Sequence, residues 1–246
     1  MTRRSLCAIL PILFMSIPAF GLDWFVDLET GFAFPGYNDV QVPNDSTGTR
    51  FSLTGVLDVE TEFVYRARFG LTTGRHWFSL LAAPLRLEGS GELRSELRFA
   101  DEVFAEGDLV DGLYRFDSYR LSWRYLLLDG SRFSLAAGVT AKIRDAEIRL
   151  ESGGVSAATT NTGFVPLIGF DARWKPSTCF TLQLEGDALA GPQGRAEDVF
   201  LGVMIHPGGS TDLRAGYRMV EGGADVESVY NFTLVSYLMA GITQRF

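Results

Sequence analysis

Seventeen charged residues recur at alternate positions of segments that otherwise carry apolar side chains. They are Asp58, Glu60, Glu62, Arg66 and Arg68 in one segment, and Arg86, Glu88, Arg120, Arg124, Lys142, Arg144, Asp171, Arg173, Glu185, Asp187, Arg214 and Arg218 in the others. If these segments are strands that close on themselves, the charges share one lumen. Opposite charges in such a space pair, because a buried charge without a partner is costly. The set is therefore expected to act as a salt-bridged plug; the alternative is a polar conduit that sorts solutes by charge. A wide aqueous channel takes roughly 16 to 18 strands, more than this chain supplies, and the mixed signs argue against strong ion selectivity.

Other chemistries find less support. The two histidines, His76 and His206, both lie beside tight turns, away from the longer connections. No arrangement of Ser, His and carboxylate of the kind used for acid–base or nucleophilic catalysis can be assembled there from sequence. Carboxylates of the 89–112 connection, Asp101 or Glu102 with Asp108 or Asp111, read as solvated loop residues. Two distant histidines and no compact carboxylate cluster do not make a metal centre, and no cofactor is expected. The glycine pairs Gly153, Gly154 and Gly222, Gly223 lack the strand-to-helix setting of a phosphate cradle and are expected at loop tips.

The elements that must hold these charges follow a period of two. In the segment from Phe51 to Leu71, Phe63, Tyr65, Ala67 and Phe69 alternate with Glu62, Arg66, Arg68 and Gly70. Comparable runs are Trp24–Phe34, Trp77–Leu87, Tyr119–Leu127, Phe133–Ile143, Phe164–Trp174, Phe180–Leu184, Val199–Ile205, Leu213–Met219 and Tyr230–Phe246, ten in all. In the third run the apolar face is read as Trp77, Ser79, Leu81, Ala83, Leu85 and Leu87, which places Arg86 and Glu88 in the lumen. The first long run has twice the ~10 residues that span a bilayer, so it either projects beyond the membrane or hides a turn near Gly55 to Asp58; eight strands is the second choice. A change of phase near Asp145 points to a bulge or an extension.

Connections alternate between tight turns (Thr72–Arg75, Asp129–Ser131, Pro176–Cys179, Pro207–Asp212) and longer stretches (Pro35–Thr49, Gly89–Gly112, Glu151–Gly163, Ala190–Glu197, Glu221–Ser228). Short turns at one end and longer loops at the other are the habit of membrane barrels. Trp24, Trp77, Trp174 and Tyr230 sit near segment ends, where interfacial aromatic girdles belong. A soluble barrel of lipocalin type would turn the apolar face inward instead.

Residues 1–21 combine Arg3 and Arg4 with an apolar run from Leu6 to Phe20 and small residues at Ala19 and Gly21, the pattern of a secretory signal peptide. Residues 22–246 then form one domain, with Cys179 as their single cysteine and hence no internal disulfide. Thirty acidic against 22 basic residues, net charge −8, with no basic cluster, exclude nucleic acid as an expected partner.

The signal-like start, the alternation over nearly all of residues 22–246, and a last strand ending on an aromatic, Phe246, resemble small bacterial outer-membrane proteins of the OmpW and OmpA-transmembrane-domain type. That resemblance implies an all-β, antiparallel up-and-down transmembrane barrel in the outer membrane of a Gram-negative-type bacterium. Its partners would be membrane lipid and the barrel-assembly machinery, with Phe246 as the assembly signal. The expected function is non-enzymatic, structural or as a narrow conduit for small or apolar solutes. The alternatives are an outer-membrane hydrolase or lipid-modifying enzyme, and an adhesion module acting through the outer loops, Gly89–Gly112 foremost.

Overall fold

The computed structural model describes residues 21–246; residues 1–20, which hold Arg3, Arg4 and Cys7 and all but the last residue of the segment read as a signal peptide, lie outside the described residues. Eleven strands build the wall: β1 (Asp23–Gln41), β2 (Glu62–Thr73), β3 (His76–Ala83), β4 (Arg86–Glu92), β5 (Leu109–Asp129), β6 (Phe133–Ser152), β7 (Val155–Trp174), β8 (Phe180–Gly191), β9 (Gly194–Gly208), β10 (Thr211–Val226) and β11 (Val229–Arg245). Both β3 and β4 pair with β5, at Ala83↔Ser118 and Arg86↔Arg115, and so form one stave interrupted at Pro84. Proline has no N–H to give a ladder, which accounts for the break. Each stave pairs antiparallel with the next, and β11 returns to β1 from Phe25↔Arg245 to Gln41↔Tyr230. The result is a closed barrel of ten staves, as the alternation anticipated.

Closure leaves no free sheet edge around the barrel, the condition for crossing lipid with strands. The large apolar side chains face outward: Phe63 and Phe164 are each 68% exposed or nearly so, at 64% and 68%. Leu121, Val139, Ile168, Leu201 and Leu238 share that outer face. The charges lie inside, the reverse of a soluble barrel.

One stave departs from expectation. In β3 and β4 the odd positions point inward, with Leu81, Ala83, Leu85 and Leu87 buried and Phe78 and Leu80 exposed. Arg86 and Glu88 therefore stand outside the lumen, with side chains 63% and 58% exposed and bonded to each other. Both parities of this segment are apolar, so alternation could not choose the face; the deciding partner is a distant apolar cap.

That cap seals the outer end. Beyond β1 the chain forms a two-residue strand at Phe51–Ser52, a single helical turn at Leu53–Val56 and a short strand at Asp58–Val59. A turn therefore does interrupt the Phe51–Leu71 segment close to Gly55, and only β2 spans. A small hairpin, Leu97–Phe99 with Glu102–Phe104, joins it. Leu53, Leu57, Phe99, Phe104, Val110, Tyr114 and Leu150 are all at most 3% exposed. A Cβ on Gly112 would come within 2.2 Å of the Leu57 side chain, so glycine there makes the seat for the cap.

The connections read as long are mostly strand. Pairing between β6 and β7 runs unbroken to Ser152↔Val155, and the β9–β10 ladder to Gly194↔Ala224. No bulge lies near Asp145; the one shift between β5 and β6 falls at Leu135/Ala136. The inward face simply changes there from charged to apolar, Ile148 and Leu150 joining the cap. The outward face changes in the opposite sense, from Leu121 and Ile143 to Arg115, Asp117, Asp145 and Glu147, which marks where lipid ends. Strands β5, β6 and β7, of 21, 20 and 20 residues, therefore project well beyond the ~9–11 needed to span.

Candidate functional site

The middle of the lumen is filled by an ion-pair network. Its hub is Asp198 on β9, which accepts from Arg66 of β2 at 3.0 Å, Arg120 of β5 at 2.6 Å and Arg218 of β10 at 2.6 Å. Glu29 on β1 lies 3.3 Å from Arg66 and 3.1 Å from both Arg214 and Arg218. On β8, Glu185 takes a two-pronged bond from Arg68 at 2.6 and 3.1 Å. Its neighbour Asp187 meets Arg120 at 3.1 Å and Arg124 at 3.2 Å and accepts from the Thr140 hydroxyl at 2.8 Å. Asp27 pairs with Arg214 at 2.6 Å, and Asp171 with Arg173 at 2.7 Å.

Some of these bonds join neighbouring staves, and others run across the barrel. Arg66 and Arg68 on β2 reach Asp198 and Glu185 on β9 and β8, staves on the far wall. Guanidinium groups suit the task, since their planar forks match carboxylates in two places at once. With Asp27, Glu29, Asp171, Glu185, Asp187, Asp198, Arg66, Arg120, Arg124, Arg214 and Arg218 all buried, no clear bore passes this level. Buried pairs of this kind add little net stability over an apolar core, but removing one partner is expensive.

Ten of the seventeen charges expected in the lumen take part in the network: Arg66, Arg68, Arg120, Arg124, Asp171, Arg173, Glu185, Asp187, Arg214 and Arg218. Lys142 is also buried inside, but over the Phe116 ring at 4.8 Å rather than against a carboxylate. Arg144 is half-buried near the outer mouth and donates to Asn161. Arg86, Glu88, Asp58, Glu60 and Glu62 are not in the network; they border a groove of about 480 Å³ at the outer rim, with Asp111 and Glu151. The chain leaves β2 at Glu62 to build the cap, and this carries the three acidic residues out of the lumen.

Strand periodicity also missed Asp27, Glu29 and the hub Asp198. The signal was present: Asp27 and Glu29 alternate with Val26 and Leu28, and Asp198 stands one residue before the Val199 run. At the inner rim a second polar row was not anticipated. His206 Nδ1 lies 2.7 Å from Asp212 Oδ1, and His206 Nε2 lies 2.8 Å from the Thr181 hydroxyl. Asp212 also accepts from Arg245. Thr181 is only 2% exposed, so the row acts as a clasp joining β8, β9, β10 and β11 rather than as an accessible nucleophile.

No protein-family model matches the chain, and no curated protein is significantly similar to it. Solved structures share its fold class. The outer membrane protease OmpT from Escherichia coli is 10% identical, with 91% of this chain and 97% of that one covered and a TM-score of 0.48. Ail, the attachment invasion locus protein of Yersinia pestis, is 11% identical over 91% of this chain and 99% of that one, with a TM-score of 0.39. Neisserial surface protein A is 16% identical over 91% and 97%, with a TM-score of 0.36. A protease and an attachment protein at such distances do not discriminate between functions, and function has to be argued from the lumen itself.

Proposed function

We propose that the chain is an integral outer-membrane barrel of a Gram-negative-type bacterium, non-enzymatic and closed to solutes, whose role is structural. The small OmpW- and OmpA-type barrels are its analogues on the sequence pattern alone. Membrane lipid is the partner of the apolar outer face, and the barrel-assembly machinery engages the last strand through Phe246. The observation that carries the closed state is Asp198, held by three guanidiniums from β2, β5 and β10 in the middle of the lumen. The apolar cap above it is a second seal.

Single-channel recording of the refolded protein in a planar bilayer tests this. An inserted but silent protein is expected. Discrete conductance steps that change in Arg120→Gln would instead make the lumen a conduit.

A second role, surface contact, is favoured by the projection of β5, β6 and β7 beyond the apolar band with a charged outward face. The 89–112 connection supports it less, because Leu93, Leu97, Phe99 and Phe104 are buried in the cap.

A further inference from the structure

Strand β7 pairs with β6 along its whole length, from Phe133↔Trp174 to Ser152↔Val155. On its other side it meets β8 only from Ile168↔Ala188 to Trp174↔Leu182, and β8 soon turns back into β9 at Gly191↔Gly194. The closed part of the barrel ends on this side at Ile168↔Ala188. Beyond it, residues 155–167 have β6 on one side and, among the described residues, no strand on the other. No backbone bond from a turn or loop reaches them among the described residues. Their side-chain bonds also run to β6: Ser156 to Glu151 at 3.4 Å, Thr162 to Asp145 at 3.3 Å, and Asn161 from Arg144.

The upper part of this edge stands in water. Thr162 lies opposite Asp145 and Phe164 opposite Ile143, so the lipid surface passes between Thr162 and Phe164. Ser156, Ala158, Thr160, Asn161 and Thr162 are all exposed. A free edge is a template for another strand, and proteins usually blunt one with charge, proline or a bulge. Residues 155–167 carry no charge, their ladder with β6 has no bulge, and Pro166 stands below the lipid surface. Above it, small Ser, Ala and Thr side chains leave the backbone accessible.

We propose that residues 156–162 take up an extended, basic segment of another protein as an added strand. This rests on the surface-contact role above and names its site and partner. Main-chain hydrogen bonds supply the affinity of such an addition, and alternate side chains its specificity. The basic character follows from the neighbours. Residues 86–118, which run through the cap hairpin into β5, hold nine carboxylates against four arginines. On the outward face of β6, Glu151, Glu147 and Asp145 stand opposite Ser156, Thr160 and Thr162, with Arg115 and Arg149 to match them. An added strand lies two strand spacings from that row, roughly 9–10 Å, a gap that long Lys and Arg side chains reach across. A second copy in the same membrane does not fit. Barrels inserted in one membrane share an orientation, so a two-fold axis between them runs along the membrane normal and cannot set two β7 edges antiparallel.

The test uses the refolded protein in nanodiscs of zwitterionic lipid and a short labelled peptide that alternates lysine with valine. Its controls are the glutamate counterpart and the fully N-methylated lysine peptide, which keeps the charge but has no N–H to give. Expected is saturable binding of the lysine peptide by fluorescence anisotropy, with both controls at least tenfold weaker. Amide exchange in residues 156–162 should slow at least tenfold on binding while residues 133–143 stay unchanged. Ala158→Pro, at the same parity as the Pro166 that the β6 ladder already accommodates, should abolish binding. Equal binding of the N-methylated peptide, with exchange unchanged, would leave a surface contact made by charge alone and overturn the added strand. So would dimers that Ala158→Pro dissolves in the absence of peptide binding, which would give the edge to a second copy. Binding of no peptide also overturns it; the wider surface-contact role falls with it only if Thr160→Cys, in a Cys179→Ser background, resists a membrane-impermeant maleimide. Should Ala158→Pro fail to fold, the two control peptides decide on the parent protein.

Discussion

Trp24 and Phe246 stack face to face, with ring centroids 3.8 Å apart and planes 9° from parallel, across the seam where the first stave meets the last. The Phe246 N–H also donates to the Trp24 carbonyl at 2.9 Å. The last residue thus closes the barrel at its inner rim as well as being the proposed assembly signal. Aromatic pairs contribute about 0.5–1.5 kcal/mol beyond their area. Phe246→Ala is accordingly expected to lower the stability of the refolded barrel by about 1 kcal/mol in urea titrations. In cells the loss of membrane-inserted protein should be much larger; equal losses in both settings would remove the assembly role.

Asp198 and Lys142 give opposite expectations. Asp198→Asn leaves Arg66, Arg120 and Arg218 without their shared carboxylate. Breaking a buried pair from one side costs roughly 3–5 kcal/mol, so the urea midpoint of the refolded barrel should fall sharply. An unchanged midpoint would mean that the lumen is hydrated and the network loose.

Lys142 is buried with no carboxylate within 4.0 Å among the described residues, its ammonium resting over Phe116. Lys142→Met keeps much of the side-chain volume and relieves a desolvated charge. The variant should be at least as stable as the parent, by comparison of urea midpoints. A loss above about 2 kcal/mol would mean that the charge has a stabilising role the geometry does not show.

Gly112 is the point where the cap rests on the wall. Gly112→Val places a side chain where Leu57 now lies, and overpacking costs typically about 1–3 kcal/mol. The cap should loosen while the barrel below persists. Limited proteolysis should then cut within residues 42–61 while the heat-dependent gel shift of the folded barrel survives; resistance equal to the parent would contradict the seat.

The projecting hairpins should respond to acid before the barrel does. A bond from Arg115 holds the Asp145 carboxyl below its ordinary value, and a bond from Arg149 does the same for Glu147. Carboxylates depressed on folding contribute stability that is complete above their unfolded values near 4 and is lost as pH falls through the folded ones. Amide exchange in residues 144–160 should therefore speed up below about pH 4, while residues 133–143 stay protected. Uniform behaviour along β6 would contradict a membrane boundary near Asp145.

The amino-acid pattern by itself determined the barrel. A two-residue period fixes which side chains share a face, and nine of the ten staves turn that face as the alternation of Phe, Leu and Ile with charge requires. It also marked most of the network, since Arg66, Arg120, Glu185 and Arg218 sit at inward positions of unambiguous strands. Val235, Tyr237 and Met239, at the inward positions of the last strand, are buried in the interior apolar cluster.

Only the tertiary structure decided what fills the lumen. Alternation has no preference where both faces are apolar, as in Phe78–Leu87, and there the cap chose the phase by burying Leu85 and Leu87. Which carboxylate becomes the hub depends on where opposite walls meet across the barrel, a distance set by closure and not by neighbours in the chain. Asp198 and Arg66 are 132 residues apart in sequence and 3.0 Å apart in space.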